Sequence, residues 1–276
     1  MRIIADSGST KSEWAILSPS RGDVTLKMLQ GLNPYLQSIE QIETTIRQIA
    51  DCQPDGIHFY GAGFGSSENR ASLHIALKKI FPDVRYVEVE TDIMGAARAL
   101  CQRKEGIVGI LGTGSNAAFY DGEQIVRQHG GYGFILGDEG SGGVMGKKLL
   151  QDFLNGKLPP SIRKNLVELY NLHEKTLLKR IYKEPFPNRY LASFAPFLHT
   201  HRKNPHIRKL LENHFKSYFQ NTLFAFSDFK NKPFHLIGSV AWHFQDEIKG
   251  VAEKMNLRLG LIEKSPIEGL IQYHTS

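Results

Sequence analysis

Two cysteines in 276 residues, Cys52 and Cys101, are too few and too far apart for a disulfide framework or a CxxC metal ribbon, and they predict a reducing compartment. No apolar run approaches the ~20 residues needed to cross a bilayer. No charged n-region followed by an apolar h-region opens the chain, so a cytoplasmic location without a membrane partner is expected. The 11 histidines include no HExxH or paired ligand spacing. "HTH" at 199–201 and "WHF" at 242–244 read as surface and packing residues, and Trp14 and Trp242 as core. A large excess of one charge is also missing: 34 Lys and Arg against 28 Asp and Glu leave a formal net charge of +6, scattered along the chain. The densest basic stretch, "HTHRKNPHIRK" at 199–209, lacks interleaved aromatics or a helix-turn-helix context. Nucleic acid is therefore not the expected partner, whereas small anions such as nucleotides fit.

Hydrophobic residues make up 41% and charged residues 22%, ordinary values for a globular chain, and the length favours two domains. Residues 2–6, 13–18 and 24–29 read as an antiparallel meander with "SPSRGD" as one turn. Ile39, Ile42, Ile46 and Ile49 recur at helical spacing before Pro54. A strand "GIHFYGAG", a helix near 68–80, a strand "VRYVEV" and a helix over about 92–102 follow, so an α/β sheet of mixed direction is predicted. At "EGIVGILGTGSNAAFYDGEQIVRQ" the strand, loop and strand pattern starts again, with Asp121-Gly122 as a hairpin turn. A mostly helical region from 139 to about 230 carries Pro-marked breaks at 159–160, 185–187, 196 and 205. Then come a strand in "PFHLIGSVA", a helix "WHFQDEIKGVAEKM", a strand "LRLGLI" and a short terminal helix. The repeat looks like an internal duplication, with the site expected in the cleft between the halves.

Two loops carry the chemistry. In "ADSGSTKSEWAI", Gly8 permits a tight turn while Ser7, Ser9, Thr10 and Lys11 offer hydroxyls, amides and a cation suited to phosphate. Asp6, closing the first strand, could hold a magnesium ion through water; a plain polar hairpin is the competing reading. The second loop, Gly112-Thr113-Gly114-Ser115, formally opens a G-x-G-x-x-A fingerprint, but a strand follows instead of a helix. It therefore reads as a second phosphate-cradling turn. A Walker A loop is excluded, because Gly146-Lys147-Lys148 lacks the Ser/Thr and the upstream glycine. Asp92, where "VRYVEV" hands over to a helix, is either an N-cap or a site acid. Asn33 in "GLNPY" is either a turn residue or a ligand for hydroxyls. Asp138 in "GDEGSGGVMG" could be a cap, and its neighbouring glycines are either close packing or a ligand's approach.

These segments, with "TDIMGAARA", "GGYGFILGDEGSGGVMG" and "LIGSVA" in the same order, resemble the N-acetylglucosamine kinase and BadF/BadG-type ATPase family of the actin-like, sugar kinase and Hsp70 ATPase superfold. Where that family typically has DGGGTKT, Ser7 and Ser9 replace two glycines. The resemblance implies two ribonuclease H-like domains with an interdomain cleft, one of residues 1–104 plus 262–276 and one of 105–261. It implies transfer of the γ-phosphate of ATP, with Mg2+, to the 6-hydroxyl of an amino sugar, N-acetylglucosamine being favoured. Asp92 would be the base, and Asn33, Asn116 and Asp138 would bind sugar. Ser7, Gly8, Ser9, Thr10, Lys11, Gly112, Thr113, Gly114 and Ser115 would hold phosphates, Gly238 and Ser239 would lie along the adenosine, and the chain would be a homodimer. The competing functions are a nucleotide-dependent regulator or sugar sensor, and a reductase-activating ATPase.

Overall fold

The run Ile3-Ile4-Ala5 does not alternate because its strand, β1 (Arg2–Ser7), is covered on both faces. Ile3 and Ala5 pack with one apolar cluster, and Ile4 with another on the opposite face. The computed structural model of the protein describes residues 1–8, 10–18, 23–226 and 231–276. Ser9 of the first loop and the tip of the expected "SPSRGD" turn, residues 19–22, lie outside the described residues. The chain divides into two compact units, Met1–Lys104 with Gly122–Ile125 and Ser265–Ser276, and Glu105–Asp121 with Val126–Lys264. Among the described residues, no helix is long and apolar enough to cross a membrane.

In the first unit, β1 pairs antiparallel with β2 (Lys11–Leu17), which pairs antiparallel with β3 (Val24–Gln30). On its other side β1 runs parallel to β4 (Gly56–Gly61), and β4 parallel to β5 (Tyr86–Thr91), so the sheet order is β3-β2-β1-β4-β5. The strand expected at 84–89 is shifted to 86–91, because Gly56 pairs with Tyr86 and Gly61 with Thr91. One face is covered by α1 (Ile39–Ile46), which continues as a 3-10 turn to Ile49, and by α2 (Ser67–Ile80). The isoleucine spacing places Ile42, Ile46 and Ile49 in that core beside Trp14 and Phe59. Trp14 is fully buried and donates its indole N–H to Ser12 Oγ at 2.8 Å. Thr91 leads into α3 (Asp92–Cys101), and α13 (Ile267–Thr275) packs on α3 and β1.

The second unit repeats the plan. Strand β6 (Gly106–Leu111) pairs antiparallel with β7 (Ser115–Tyr120) and parallel with β9 (Phe234–Ile237), and β10 (Leu259–Glu263) runs parallel to β9. With β8 (Ile125–Gly130) the order is β10-β9-β6-β7-β8, which matches the first sheet strand for strand. Between β8 and β9 lie α4 (Gly133–Leu136), α5 (Gly142–Leu154), α6 (Pro160–Tyr170), α7 (Glu174–Tyr182), α8 (Pro187–Ala192), α9 (Ala195–Thr200) and α10 (Pro205–Asn221). Breaks fall at the expected prolines: Pro160, Pro187 and Pro205 each open the helix after a break, at a first position where the missing N–H costs nothing. The helix expected from Trp242 onward is two, α11 (Ser239–His243) and α12 (Gln245–Lys254), divided at buried Phe244. Trp242, expected in the core, is 37% exposed.

Some of the costly glycines in "GDEGSGGVMG" are explained by packing. A Cβ at Gly146 would overlap the carbonyl oxygen of Leu191, where α5 crosses α8. Gly146→Ala is expected to destabilise the protein by about 2 kcal/mol through forced separation of these helices. Denaturant unfolding checks this, and an unchanged midpoint would show that the crossing is slack.

Candidate functional site

In the first unit the site begins where three strands end. Ser7, Gly61 and Thr91 are the last residues of β1, β4 and β5 and lie in register across the sheet. Thr91 rather than Asp92 caps α3, its Oγ1 accepting the N–H of Met94 at 3.3 Å. The Asp92 carboxylate is thereby left in the first helical turn, where Oδ1 accepts the N–H of Ile93 at 2.9 Å. Burial pushes its pKa up to about 6, against the pull of that bond. Asp6 lies opposite Glu13 on β2. Burial, then Asp92 and Glu13, push Asp6 up to about 7, while Lys11 pulls it down. Glu13 Oε2 in turn accepts the Ser265 hydroxyl at 2.5 Å. Asp6 therefore carries the repulsion of two further acids, Asp92 and Glu13.

The loop residues divide by use. The Ser7 hydroxyl is fully buried and accepts the N–H of Leu32 at 2.8 Å, which ties the end of β1 to "GLNPY". Gly8 donates its N–H to the Lys11 carbonyl at 3.0 Å, closing the turn, while Thr10 and Lys11 are exposed. Asn33 is buried, and its Oδ1 accepts the N–H of Tyr35 at 3.0 Å, the bond expected of a turn residue.

In the second unit the loop after β6 is fixed from behind by α5. Gly142 and Gly143 donate their N–H groups to the carbonyls of Gly112 and Thr113 at 2.8 and 3.1 Å. Ser141 caps that helix, and Ser115 Oγ donates to the Glu139 carbonyl at 2.6 Å. Asp138 stands in the left-handed region at φ 59°, a conformation Asp tolerates better than most residues. Its carboxylate lies against Gly114, where an added Cβ would meet Oδ2 at 2.9 Å, and its Oδ1 accepts the Gly133 N–H at 3.2 Å. Burial raises its pKa. Nearby, Asn116 Oδ1 is buried without a hydrogen-bond partner among the described residues, a loss a polar ligand would repair.

A cavity of about 460 Å³ opens beside the same loop, lined by Gly112 and Thr113 and by Ser239 at the start of α11. Gly238, just before it, has φ 116°, and a Cβ there would overlap the Leu111 carbonyl, so only glycine fits. The two motifs read separately in the sequence thus share one wall. His199 of α9 and His243 of α11 also line the cavity, their rings 5.9 Å apart and edge to face. The sequence placed both among surface and packing residues. Neither had a recognisable motif, and only the fold of the helical region brings them together.

No family model matches the sequence. A curated relative, the glucosamine kinase GspK of Vibrio cholerae, is 26% identical over 181 residues, 63% of this chain, and the match spans 60% of that relative's length. Among solved structures, a Porphyromonas gingivalis protein provisionally named an N-acetylglucosamine kinase superposes with a TM-score of 0.93 at 37% identity, over 99% of this chain and 98% of that one. A Chromobacterium violaceum protein under the same provisional name superposes with a TM-score of 0.75 at 18% identity over 99% of each chain, a likeness of fold.

The raised pKa of Asp6 has a thermodynamic signature. The cost of ionising Asp6 in the folded state is absent below the usual carboxylate value of 3.8 and complete above about 7, so its contribution to stability falls as pH rises between them. Asp6→Asn removes that cost. It is expected to melt about 2 °C or more above the wild type at pH 8 in chelator, with the gap closing near pH 4. Equal melting temperatures at both pH values would show that the acid is not desolvated.

Proposed function

The chain belongs to the N-acetylglucosamine kinase and BadF/BadG-type ATPase family of the actin-like superfold, and from this we propose that it is an ATP-dependent kinase of an amino sugar, with N-acetylglucosamine as the substrate and O6 as the acceptor. The observation that carries the reading is Asp92, released from capping by Thr91 and standing at the carboxyl end of β5 with a pKa of about 6. A carboxylate so placed can accept a proton near neutral pH. In the proposed reaction the sugar oxygen bonds to the γ-phosphorus as its proton passes to Asp92, and the bond from γ-phosphorus to the β-bridging oxygen breaks. The products are ADP and a sugar 6-phosphate.

The remaining roles follow from position. The turn at Gly8, Thr10 and Lys11, with Ser9, is proposed to bind phosphate through backbone N–H groups and the lysine. The buried Ser7 hydroxyl supports this turn from below. Gly112, Thr113, Gly114 and Ser115 form the second phosphate turn. The adjoining cavity, with Ser239 on its wall and Gly238 just before it in the chain, takes the nucleoside, and its volume suits one. Asp138, Asn116 and Asn33 are assigned to sugar hydroxyls. Asp6, a hard oxygen donor on which the charges of Asp92 and Glu13 press, fits a magnesium ion held through water. Such an ion, when bound, would neutralise phosphate charge.

The closing test is a coupled assay of ADP release with ATP, magnesium and a panel of amino sugars. Turnover is expected to depend on sugar and to fall as pH drops through about 6, as Asp92 takes up a proton. Asp92→Asn is expected to lower kcat by about 10²–10⁴-fold with little change in KM. Near wild-type turnover in that variant would remove Asp92 from the role. Sugar and nucleotide binding without turnover in the wild type would favour the sensor.

A further inference from the structure

Behind the Asp138 loop, on the far part of α5, a second cavity of about 520 Å³ lies between that helix and α10. Lys148, Lys157 and Lys209 all line it. None of the three ammonium groups makes a hydrogen bond or ion pair with any described residue. The acid in the cavity wall, Asp152, is already engaged by His206, whose Nε2 lies 2.8 Å from its Oδ2. Three lysines without an ion pair among the described residues, against the single carboxylate of Asp152, leave the lining with an excess of positive charge that an anion would offset. The rest of the wall is chiefly amide, from Gln151 and Asn213, each offering donors and an acceptor suited to hydroxyl groups. Leu210 is the one aliphatic side chain in the lining. The wall is therefore cationic and hydroxyl-binding in character, unlike the nucleoside cavity described above.

We propose that the cavity between α5 and α10 is a second ligand site, and that it binds a small phosphorylated sugar: the phosphate on Lys148, Lys157 and Lys209, and the hydroxyls on Gln151 and Asn213. The volume falls within the range of small-molecule sites. Lys148 connects the site to the sugar loop. It is half-buried, and burial lowers its pKa while the charge of Glu139, next to Asp138, holds it up. An anion on Lys148 competes with Glu139 for that charge. The site stands whether or not the chain transfers phosphate, because it uses none of the residues assigned to transfer.

The test is calorimetric titration of glucosamine 6-phosphate into the full chain, with N-acetylglucosamine saturating so that the proposed catalytic sugar position is already filled. One equivalent is expected to bind, more tightly than inorganic phosphate, and unphosphorylated glucosamine is expected not to compete for it. The Lys157→Glu/Lys209→Glu chain is expected to bind about tenfold or more weakly, with any turnover of ATP and sugar within about twofold of wild type. Both side chains are exposed, so the melting temperature should not fall; Lys209→Gln, which removes charge without reversing it, should give an intermediate loss. Wild-type affinity in the doubly substituted chain, equal affinity for phosphate and sugar phosphate, or no binding by the wild type would each overturn the proposal. Loss of kinase activity with intact glucosamine 6-phosphate binding, or the reverse, separates this site from the catalytic reading.

Discussion

The hydrogen bond from the Met94 N–H to Thr91 Oγ1 sets where Asp92 stands in the first unit. A helix start exposes N–H groups that must find acceptors, and an aspartate at that position is ordinarily consumed in supplying one. Here threonine meets the need one residue earlier. The shift of β5 to Tyr86–Thr91 sets this arrangement, since it delivers Thr91 to the cap and Asp92 to the first helical turn. That carboxylate, buried at the strand end, keeps a raised pKa. The fold thus carries an electrostatic cost at the ends of its central strands.

The second unit solves the same accounting in another way. Its glycine loop is braced through carbonyl groups, which accept the N–H groups of Gly142 and Gly143. Bracing from behind fixes the loop's shape before any ligand arrives, so less ordering is left to oppose binding. Asp138 stands in the left-handed region and the Asn116 oxygen is buried without a hydrogen-bond partner among the described residues, both costs this unit carries. Such costs collect at sites where a ligand completes the bonding.

Much of this was legible in the sequence for a simple reason: turns and caps are local. The meander, the glycine loops, the duplicated strand pattern and the helix after Thr91 depend on residues adjacent in the chain. The two sheets confirm the duplication by matching strand order. The two α/β units of the actin-like superfold follow from that pattern. The breaks at Pro160, Pro187 and Pro205 are equally local, each proline opening the next helix. What failed depends on packing. Trp242 is exposed because the helix breaks at Phe244, which takes the buried place. His199 and His243 are 44 residues apart, and nothing local marks them as neighbours. The bond from the Leu32 N–H to the Ser7 hydroxyl is likewise visible only once "GLNPY" is folded against β1.

The helix α13 packs on α3 and β1, with Ile267 and Leu270 buried and Gln102 donating to the Gly269 carbonyl at 3.0 Å. Its residues follow the whole second unit in the chain. During synthesis the ribosome therefore releases the sheet that carries Asp6 and Asp92 long before the helix that seals its face. Until then Ile4 packs with Tyr60 and α3 but lacks the part of its cover that Ile267 and Leu270 supply, so apolar surface stays open while the later unit is still being made.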